Sequence, residues 1–327
     1  MTIGTVLSLL AAHGFLSPKA ARLDFLGAGK LVFMGAMPYG EHEYIKHIDS
    51  SHPRGWIAPF ARRNYYHAAV LEMKKIISML CDELPIQKRD TTIFCNSNLP
   101  EKPMAVTCGV GAYGKNSLVL VPGTGSLCIL AGFTLPVSPF PDSEKIETQL
   151  PLLSIEEGII VESGFPRCGS CTACISACPT DAIVTAGSID KTRCIQHLTT
   201  CTEIIPEEIM EKWGFTIYGC QICQDICPEN RSTATGFVTH EGETDPSPPL
   251  EIFLTKKSDA IRRVIKNTVM DRTWIPLEAL TRNALIAAGN YRQQQLLHLI
   301  EPFLTDSRGF IRETARWAYR KTTSTVS

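Results

Sequence analysis

The chain lacks long apolar runs and carries almost no net charge. It contains no run of about 18 apolar residues, so the sequence predicts no membrane-spanning helix. The 327 residues have a net charge of −1, and 44% of them are hydrophobic, as in ordinary folded proteins. The short apolar run at residues 6–12 has no basic start and is soon followed by Pro18, so we predict no export signal.

Cysteine is plentiful, and eight of the thirteen cysteines form one pattern. The pattern reads Cys168-x2-Cys171-x2-Cys174-x3-Cys178-Pro179, then Cys194, then Cys220-x2-Cys223-x3-Cys227-Pro228. Such runs bind pairs of [4Fe–4S] clusters, and the fourth cysteine of a run ligates the other cluster. The second run lacks its first cysteine, so we take Cys194 as the eighth ligand. We assign one cluster to Cys168, Cys171, Cys174 and Cys227, and the second to Cys178, Cys194, Cys220 and Cys223.

Two other uses of cysteine fit the pattern less well. Disulfide frameworks belong to small secreted chains. A zinc site closes four ligands tetrahedrally, whereas Cys-x2-Cys-x2-Cys crowds three thiolates in a way that suits a cubane. Because iron–sulfur centres pass single electrons, the pattern predicts redox chemistry. Because such clusters are labile and no membrane span is predicted, we expect the protein in the cytoplasm.

The first two thirds of the chain divide into predicted regions. Residues 1–160 are expected to form an α/β domain, because β-like apolar runs accompany a helical stretch at residues 65–84. The β-like runs lie at residues 30–37, 91–94, 117–121 and 127–135. Residues 161–230 are expected to form a bacterial-type two-cluster ferredoxin domain, which the metal sites help to specify. Residues 231–253 are expected to be a linker.

Residues 254–327 show helical patterns separated by short turns, which is typical of a small helical repeat. The expected helices lie at residues 258–269, 276–288, 292–303 and 309–321. The pairs Gly289-Asn290 and Asp306-Ser307 supply the predicted breaks.

The same C-terminal region is basic. It holds thirteen Lys and Arg against six Asp and Glu, whereas the rest of the chain holds nineteen against twenty-seven. Its last helix carries basic residues at spacings of four, namely Arg308, Arg312, Arg316 and Arg320, then Lys321. This excess favours a polyanionic partner, and the alternative is a solvated helix face.

A glycine-rich segment at residues 109–117 nearly matches two nucleotide-binding motifs. Gly109, Gly111 and Gly114 spell GxGxxG, but a strand is expected after them, whereas a dinucleotide site needs a helix there. The P-loop pattern fails too, because Asn116 stands where a Ser or Thr should bind magnesium. The segment instead suits a turn or the amide-rich rim of a large polar cofactor.

Several segments together resemble the cobalamin-dependent epoxyqueuosine reductase family, relatives of the reductive dehalogenases. ARRNYYH at residues 61–67 is similar to the family's ARGRDYH, and CGVGAYGKNS at 108–117 is similar to AGLGWIGKNS. DKTRCI at 190–195 is similar to DARRCI, and IYGC at 217–220 is identical to a family segment. Residues 282–290 and 311–318 look like the family's HEAT-like C-terminal helices.

The resemblance implies a nitroreductase-like α/β domain that holds base-off cobalamin, with the two clusters supplying electrons. It implies that Lys115, Asn116 and Gln221 contact the corrinoid. It also implies tRNA as a partner, bound through the basic C-terminal helices, an external flavodoxin- or ferredoxin-type electron donor, and a monomer. In this family a nearby acid protonates the oxygen that leaves the epoxide.

The chain departs from the family at that acid. Family members carry a D-S-[AG]-P-x-x-E-[KR] segment, and the aspartate position is Cys95 here, counting back from Glu101. A thiol can donate a proton, so Cys95 is the candidate catalytic residue, and the alternative is a small buried side chain. The family's CDDC also reads Cys220-Gln-Ile-Cys223. A paralogue that reduces a small or dehalogenase-like substrate, and a non-catalytic electron-transfer protein, therefore stay open.

Overall fold

A five-stranded sheet organises the first part of the chain. The structure, a computed structural model, describes residues 1–39, 52–141, 143–155, 164–231 and 242–324. The predicted boundary at residue 160 and part of the predicted linker lie outside the described residues. The elements in this part are α1 (Ile3–Ala12), β1 (Leu16–Leu23), β2 (Lys30–Pro38), β3 (Trp56–Ile57), α2 (Tyr65–Glu83), β4 (Thr92–Phe94), α3 (Glu101–Thr107), β5 (Ala112–Tyr113), β6 (Val119–Leu120), β7 (Cys128–Pro136), α4 (Ser143–Gln149) and β8 (Leu152–Leu153).

The sheet has the strand order β4-β7-β2-β1-β8 and is buried on both faces. Neighbouring strands run antiparallel, except that β8 runs parallel to β1. In β2, Leu31, Phe33 and Met37 pack with α1 and α2, whereas Val32 and Met34 pack with α3 and the β5–β6 hairpin. This alternation follows from the two-residue period of a strand. Three predicted strands match β2, β4 and β7, whereas the run at 117–121 contributes only β6.

Short elements carry the cysteine pattern. They are α5 (Ala173–Ala177), β9 (Ile183–Thr185), β10 (Ser188–Ile189), α6 (Ile195–Leu198), α7 (Glu207–Lys212), β11 (Thr216–Tyr218) and α8 (Ile222–Asp225). Strand β11 pairs in parallel with β3, which connects this part of the chain to the residues that precede α2.

The C-terminal region is helical, with boundaries that differ from the predicted ones. Its helices are α9 (Ser258–Ile265), α10 (Leu277–Tyr291), α11 (Leu297–Ile300) and α12 (Gly309–Thr323). The predicted break at Gly289-Asn290 is wrong, because α10 continues to Tyr291 and ends at Arg292, whose φ is 54°. Gly289 instead lets α12 approach, since a Cβ there would meet the ring of Trp317.

One hydrophobic core runs across the predicted boundary between the cluster region and the C-terminal helices. It includes Trp213 and Ile217 from the cluster region together with Leu280, Leu285 and Trp317 from α10 and α12. The buried Arg282 on α10 adds polar contacts, because its guanidinium donates to the carbonyl oxygens of residues 198, 201 and 203. The two regions therefore pack as one body.

No helix within the described residues combines the length and apolar character needed to cross a membrane.

Candidate iron–sulfur centres and the adjoining cavity

The eight patterned cysteines are free thiols that lie in or beside three short helices. Cys174 lies within α5 and Cys223 within α8, and these two helices pack against each other. The other six lie before or after α5, α6 and α8. The chain thus brings ligands that are far apart in sequence to one place.

Electrostatic interactions sort the thiols into two sets. Burial raises the pKa of Cys174 and Cys227, and other thiols of the first set raise it further. Burial raises the pKa of Cys220 to about 12, with Cys194 and Cys178 contributing. The first set is Cys168, Cys171, Cys174 and Cys227, and the second set is Cys178, Cys194, Cys220 and Cys223. The interactions group the thiols as the sequence-based assignment does, and ligation of a cluster by each thiol stays a prediction.

The two sets are neighbours, and their donor chemistry suits iron–sulfur clusters. Cys174 of the first set contributes to the raised pKa of Cys223 in the second. Each set offers four soft thiol donors, which is the ligand type of cubane clusters. The described residues contain no group of three or more His, Cys, Asp or Glu close enough for a single metal ion. Ligands of a cluster lie further apart than those of one ion, because the cluster itself lies between them.

A cavity of about 610 Å³ adjoins the second set. All four thiols of that set line it, and no cysteine of the first set is among the described residues that line it. Residues from the sheet region also line the cavity and mix apolar side chains, such as Tyr39, Phe60 and Ile129, with polar ones, such as Lys102 and Asn116. Organic ligands and cofactors bind in cavities of this size and character. A ligand in this cavity would lie beside the second cysteine set and not beside the first.

A smaller cavity of about 420 Å³ continues from the first towards residues 96–103. The two cavities share six lining residues: Tyr66, Lys102, Leu118, Ser126, Cys128 and Ile129. The shared residues mark the junction between the volume beside the second set and the volume beside the loop at residues 95–100.

A buried hydrogen-bond network joins the two walls of the larger cavity. Gln224 on α8 donates from Nε2 to the carbonyl oxygen of Ser126 at 2.9 Å and to the Tyr39 hydroxyl at 3.2 Å. Asn230 donates from Nδ2 to the carbonyl oxygen of Gln224 at 2.7 Å and accepts from the backbone N–H of Ser126 at 2.7 Å. Gly125 allows this approach, because its φ is 58° and a Cβ there would overlap Asn230. The network fixes the second set relative to the sheet.

Comparison with known proteins relates this arrangement to one family. Residues 167–230 match the family described as the 4Fe-4S double cluster binding domain. Epoxyqueuosine reductase from Bacillus anthracis is 31% identical over 262 residues, which cover 78% of this chain and 63% of the relative. The Bacillus subtilis enzyme is 30% identical over 260 residues, covering 78% and 62%. The chain is a homologue of the epoxyqueuosine reductases.

The fold agrees with this relationship. A crystal structure of epoxyqueuosine reductase with a tRNA-Tyr epoxyqueuosine-modified tRNA stem loop superposes with a TM-score of 0.74. The match covers 98% of this chain and 90% of that one at 22% identity. The chain spans less than two thirds of the length of the Bacillus epoxyqueuosine reductases it matches.

The three residues predicted to contact the corrinoid lie in different surroundings. Asn116 is buried and lines the larger cavity. Lys115 instead donates from Nζ to the carbonyl oxygens of Gly169 and Cys171, at 2.7 and 2.9 Å, and so holds the loop of the first set. Gln221 is fully buried, lines neither cavity and donates to Asp225 at 2.8 Å. Its Oε1 has no hydrogen-bond partner among the described residues.

Cys95, the candidate acid, lines neither of the two cavities as the described residues define them. It packs against the core beneath the sheet together with Ile93. Burial raises the pKa of its thiol, and the charge of Glu101 raises it further, so the thiol is a weaker acid than a free one. Both carboxylate oxygens of Glu101 accept hydrogen bonds from the backbone of the loop, at Asn96 and Ser97. These contacts favour a packing role for Cys95.

The basic stripe on α12 is largely neutralised by acidic neighbours. Its members pair with Asp306, Glu207, Glu211, Glu278 and Glu313. Helix α9 differs, because Arg262 and Arg263 are exposed and neither takes part in an ion pair among the described residues. The available positive charge of the C-terminal region therefore lies on α9 more than on α12.

Sequence reasoning missed several residues of the site. Gln224 and Asn230 connect the two walls, and Lys102 and Lys191 line the larger cavity. Lys102 belongs to the Glu101-Lys102 pair that resembles the family, so the motif contained this signal. Lys191 likewise lies in the segment at residues 190–195 that resembles the family. Nothing in the local sequence marks Gln224 and Asn230, because their partners lie in distant segments.

Proposed function

We propose that the chain is a cobalamin- and [4Fe–4S]-dependent reductase that converts epoxyqueuosine to queuosine in tRNA. The observation that carries this proposal is the larger cavity, whose lining includes all four thiols of the second set. A ligand in that cavity lies next to an electron carrier. The named relatives and the stem-loop complex supply the substrate class.

The larger cavity is the place we assign to base-off cobalamin. Asn116 would contact the corrinoid from the buried wall, and the aromatic side chains of Tyr39, Phe60 and Tyr66 would exclude water from it. The contacts of Lys115 and Gln221 support roles in holding the loops of the two sets. Bound cobalamin would supply the reducing centre for the substrate.

The exposure of the first set suggests where electrons enter. Cys171 is exposed, as are Gly169 and Ser170 beside it, whereas the second set faces the cavity. We propose that an external donor of the flavodoxin or ferredoxin type docks at this loop and that electrons pass from the first cluster to the second. Because the two sets are neighbours, the path for an electron from the first cluster to the second is short.

Domain roles follow from the same arrangement. We propose a nitroreductase-like cobalamin domain at residues 1–160, a double-cluster ferredoxin domain at 161–230, a linker at 231–253 and a HEAT-like helical domain at 254–327. The helix pair α10 and α12, packed through Gly289, supports the last assignment. We further propose that the protein is a monomer and acts in the cytoplasm, where tRNA is modified.

The tRNA would contact the C-terminal region through its backbone phosphates. Arg262 and Arg263 on α9 offer charge that no acidic side chain in the described residues neutralises. Phosphate contacts require such charge and no base readout. We therefore place the phosphate-binding surface on α9.

The test is turnover by the reconstituted holoenzyme. The protein is loaded anaerobically with iron, sulfide and cobalamin, reduced, and incubated with an epoxyqueuosine stem loop, and loss of one oxygen atom is followed by mass spectrometry. We expect turnover that requires both cofactors. Cys223→Ser should abolish the second cluster's spectrum and turnover, whereas Cys201→Ser, a control outside both sets, should retain both.

Two outcomes would contradict the proposal. A protein that loads both clusters but binds no corrinoid would be an electron-transfer protein. A fully loaded protein that leaves the stem loop unchanged would act on another substrate.

A further inference from the structure

The site needs a proton donor that the family position no longer supplies. Reduction of an epoxide to an alkene breaks both C–O bonds, forms a C=C bond and releases the oxygen as water. It takes two electrons and two protons. The electrons come from an external one-electron donor through the clusters, and the protons come from the protein or from solvent. Cys95 is poorly suited to this task, because its thiol lines neither cavity and burial raises its pKa.

Three titratable side chains among the described residues line both cavities: Tyr66, Lys102 and Cys128. Burial raises the pKa of Tyr66, and burial raises the pKa of Cys128 to about 12, so both are weakened as acids. The shift of Lys102 has the opposite sign. Partial burial at the cavity wall lowers the pKa of its ammonium, and the positive charge of Lys191 lowers it further, so it is a stronger acid than a free lysine.

The geometry of Lys102 also suits proton donation. It lies in the first turn of α3, and its Nζ donates to the carbonyl oxygen of Ser117 at 3.1 Å. An ammonium has three N–H donors, so this anchor leaves two for a ligand. The side chain is accessible from the open cavity. Both carboxylate oxygens of its neighbour Glu101 accept hydrogen bonds from the loop backbone.

We propose that the ammonium of Lys102 is the acid that protonates the departing oxygen of the substrate epoxide. This role rests on the proposed function. The Lys102 N–H bond breaks as the first C–O bond breaks, and the new O–H bond forms on the departing oxygen. Lys102 is left neutral and regains a proton from solvent, which also supplies the second proton that releases water.

Single-turnover rates of the reconstituted holoenzyme with the epoxyqueuosine stem loop test the role. We expect Lys102→Ala to slow the step by about 10²–10⁴-fold, the usual worth of general acid catalysis. Lys102→Arg keeps the positive charge but cannot release a proton, so it should be as slow as the alanine variant. Lys88→Ala removes an exposed lysine outside both cavities and serves as the control.

A second readout separates chemistry from structure. Added methylammonium should restore part of the Lys102→Ala rate in proportion to its concentration, and the affinity of each variant for the stem loop should be unchanged. A wild-type rate in Lys102→Arg would mean that only charge matters and would overturn the role, as would failure of rescue with intact binding. Failure of the fully loaded wild-type protein to turn over the stem loop would overturn the proposed function, and this role with it.

The pH profile gives a third readout. The titratable groups that line the two cavities with Lys102 are Tyr39, Tyr66, Glu101, Cys128, Lys191 and His197, together with the four thiols of the second set. Among them, Lys191 is the charge that acts on Lys102. The rate should fall as pH rises through the lowered pKa of Lys102, because only the protonated form donates. Lys191→Gln removes a like charge and should move this fall to higher pH. A fall that stays in place in Lys102→Ala would assign it to another group.

Discussion

Replacement of Asn230 by alanine should loosen the joint between the second cysteine set and the sheet. Asn230 is fully buried and bonds the backbone N–H of Ser126 and the carbonyl oxygen of Gln224, each at 2.7 Å. The substitution leaves the Ser126 N–H buried without a partner, whereas the Gln224 carbonyl oxygen keeps the hydrogen bond from the backbone N–H of Cys227. An unsatisfied buried group costs about 1–3 kcal/mol and the loss of one ordinary hydrogen bond about 0.5–1.5 kcal/mol, so we expect the free energy of unfolding to fall by roughly 1.5–4.5 kcal/mol. Native proteins have only about 5–15 kcal/mol in total.

Thermal unfolding of the anaerobic holoprotein measures this change. One kcal/mol shifts the melting temperature of a large domain by about 2–4 °C, so we expect a drop of roughly 3–18 °C. Corrinoid affinity should fall as well, because the network fixes one cavity wall against the other. Gln294→Ala, which removes an exposed amide, is the control. An Asn230→Ala protein that melts within about 2 °C of wild type would refute the reasoning.

Three further outcomes are expected. Arg308 lowers the pKa of Asp306 to about 2 from 3.8, so Asp306→Asn should lower the free energy of unfolding by up to about 2 kcal/mol at neutral pH. This contribution to stability is present above about pH 4 and is lost as pH falls through about 2. Urea titrations should therefore show the destabilisation by Asp306→Asn roughly halved at about pH 3. Lys115→Met removes a positive charge from the first cluster's loop and should move that cluster's potential to a more negative value in an EPR titration, with the second unchanged. Arg262→Gln with Arg263→Gln should lower the salt slope of stem-loop binding by about two, whereas a decrease of the same size in Arg316→Gln would contradict the assignment to α9.

The sequence predicted features that depend on local pattern. The strands β2 and β7 begin and end within one residue of their predicted bounds. Their apolar runs were recognisable because successive residues are buried on the two faces of the sheet. The two cysteine sets follow from ligand spacing, which the chemistry of the clusters restricts. The family resemblance came from short segments, and the comparisons confirmed it.

Features that depend on distant partners were not predictable. Gly289-Asn290 has the composition of a helix end, but Trp317 from α12 needs the space at Gly289 and so the helix continues. Lys115 has the sequence context of a cofactor contact, yet its ammonium reaches two carbonyl oxygens more than fifty residues away. The larger cavity is lined by residues from two separate stretches, 39–129 and 178–224, and no local pattern describes it.

The separation of the two cysteine sets has a consequence for the timing of the reaction. The first set lies at an exposed loop and the second at the cavity, so under the proposed function a docked donor protein and a bound tRNA would not need to displace each other. Each cluster holds one electron, and an epoxide takes two. Such an enzyme would therefore be able to store both electrons before the tRNA arrives, and to finish the reduction within a single encounter with its substrate.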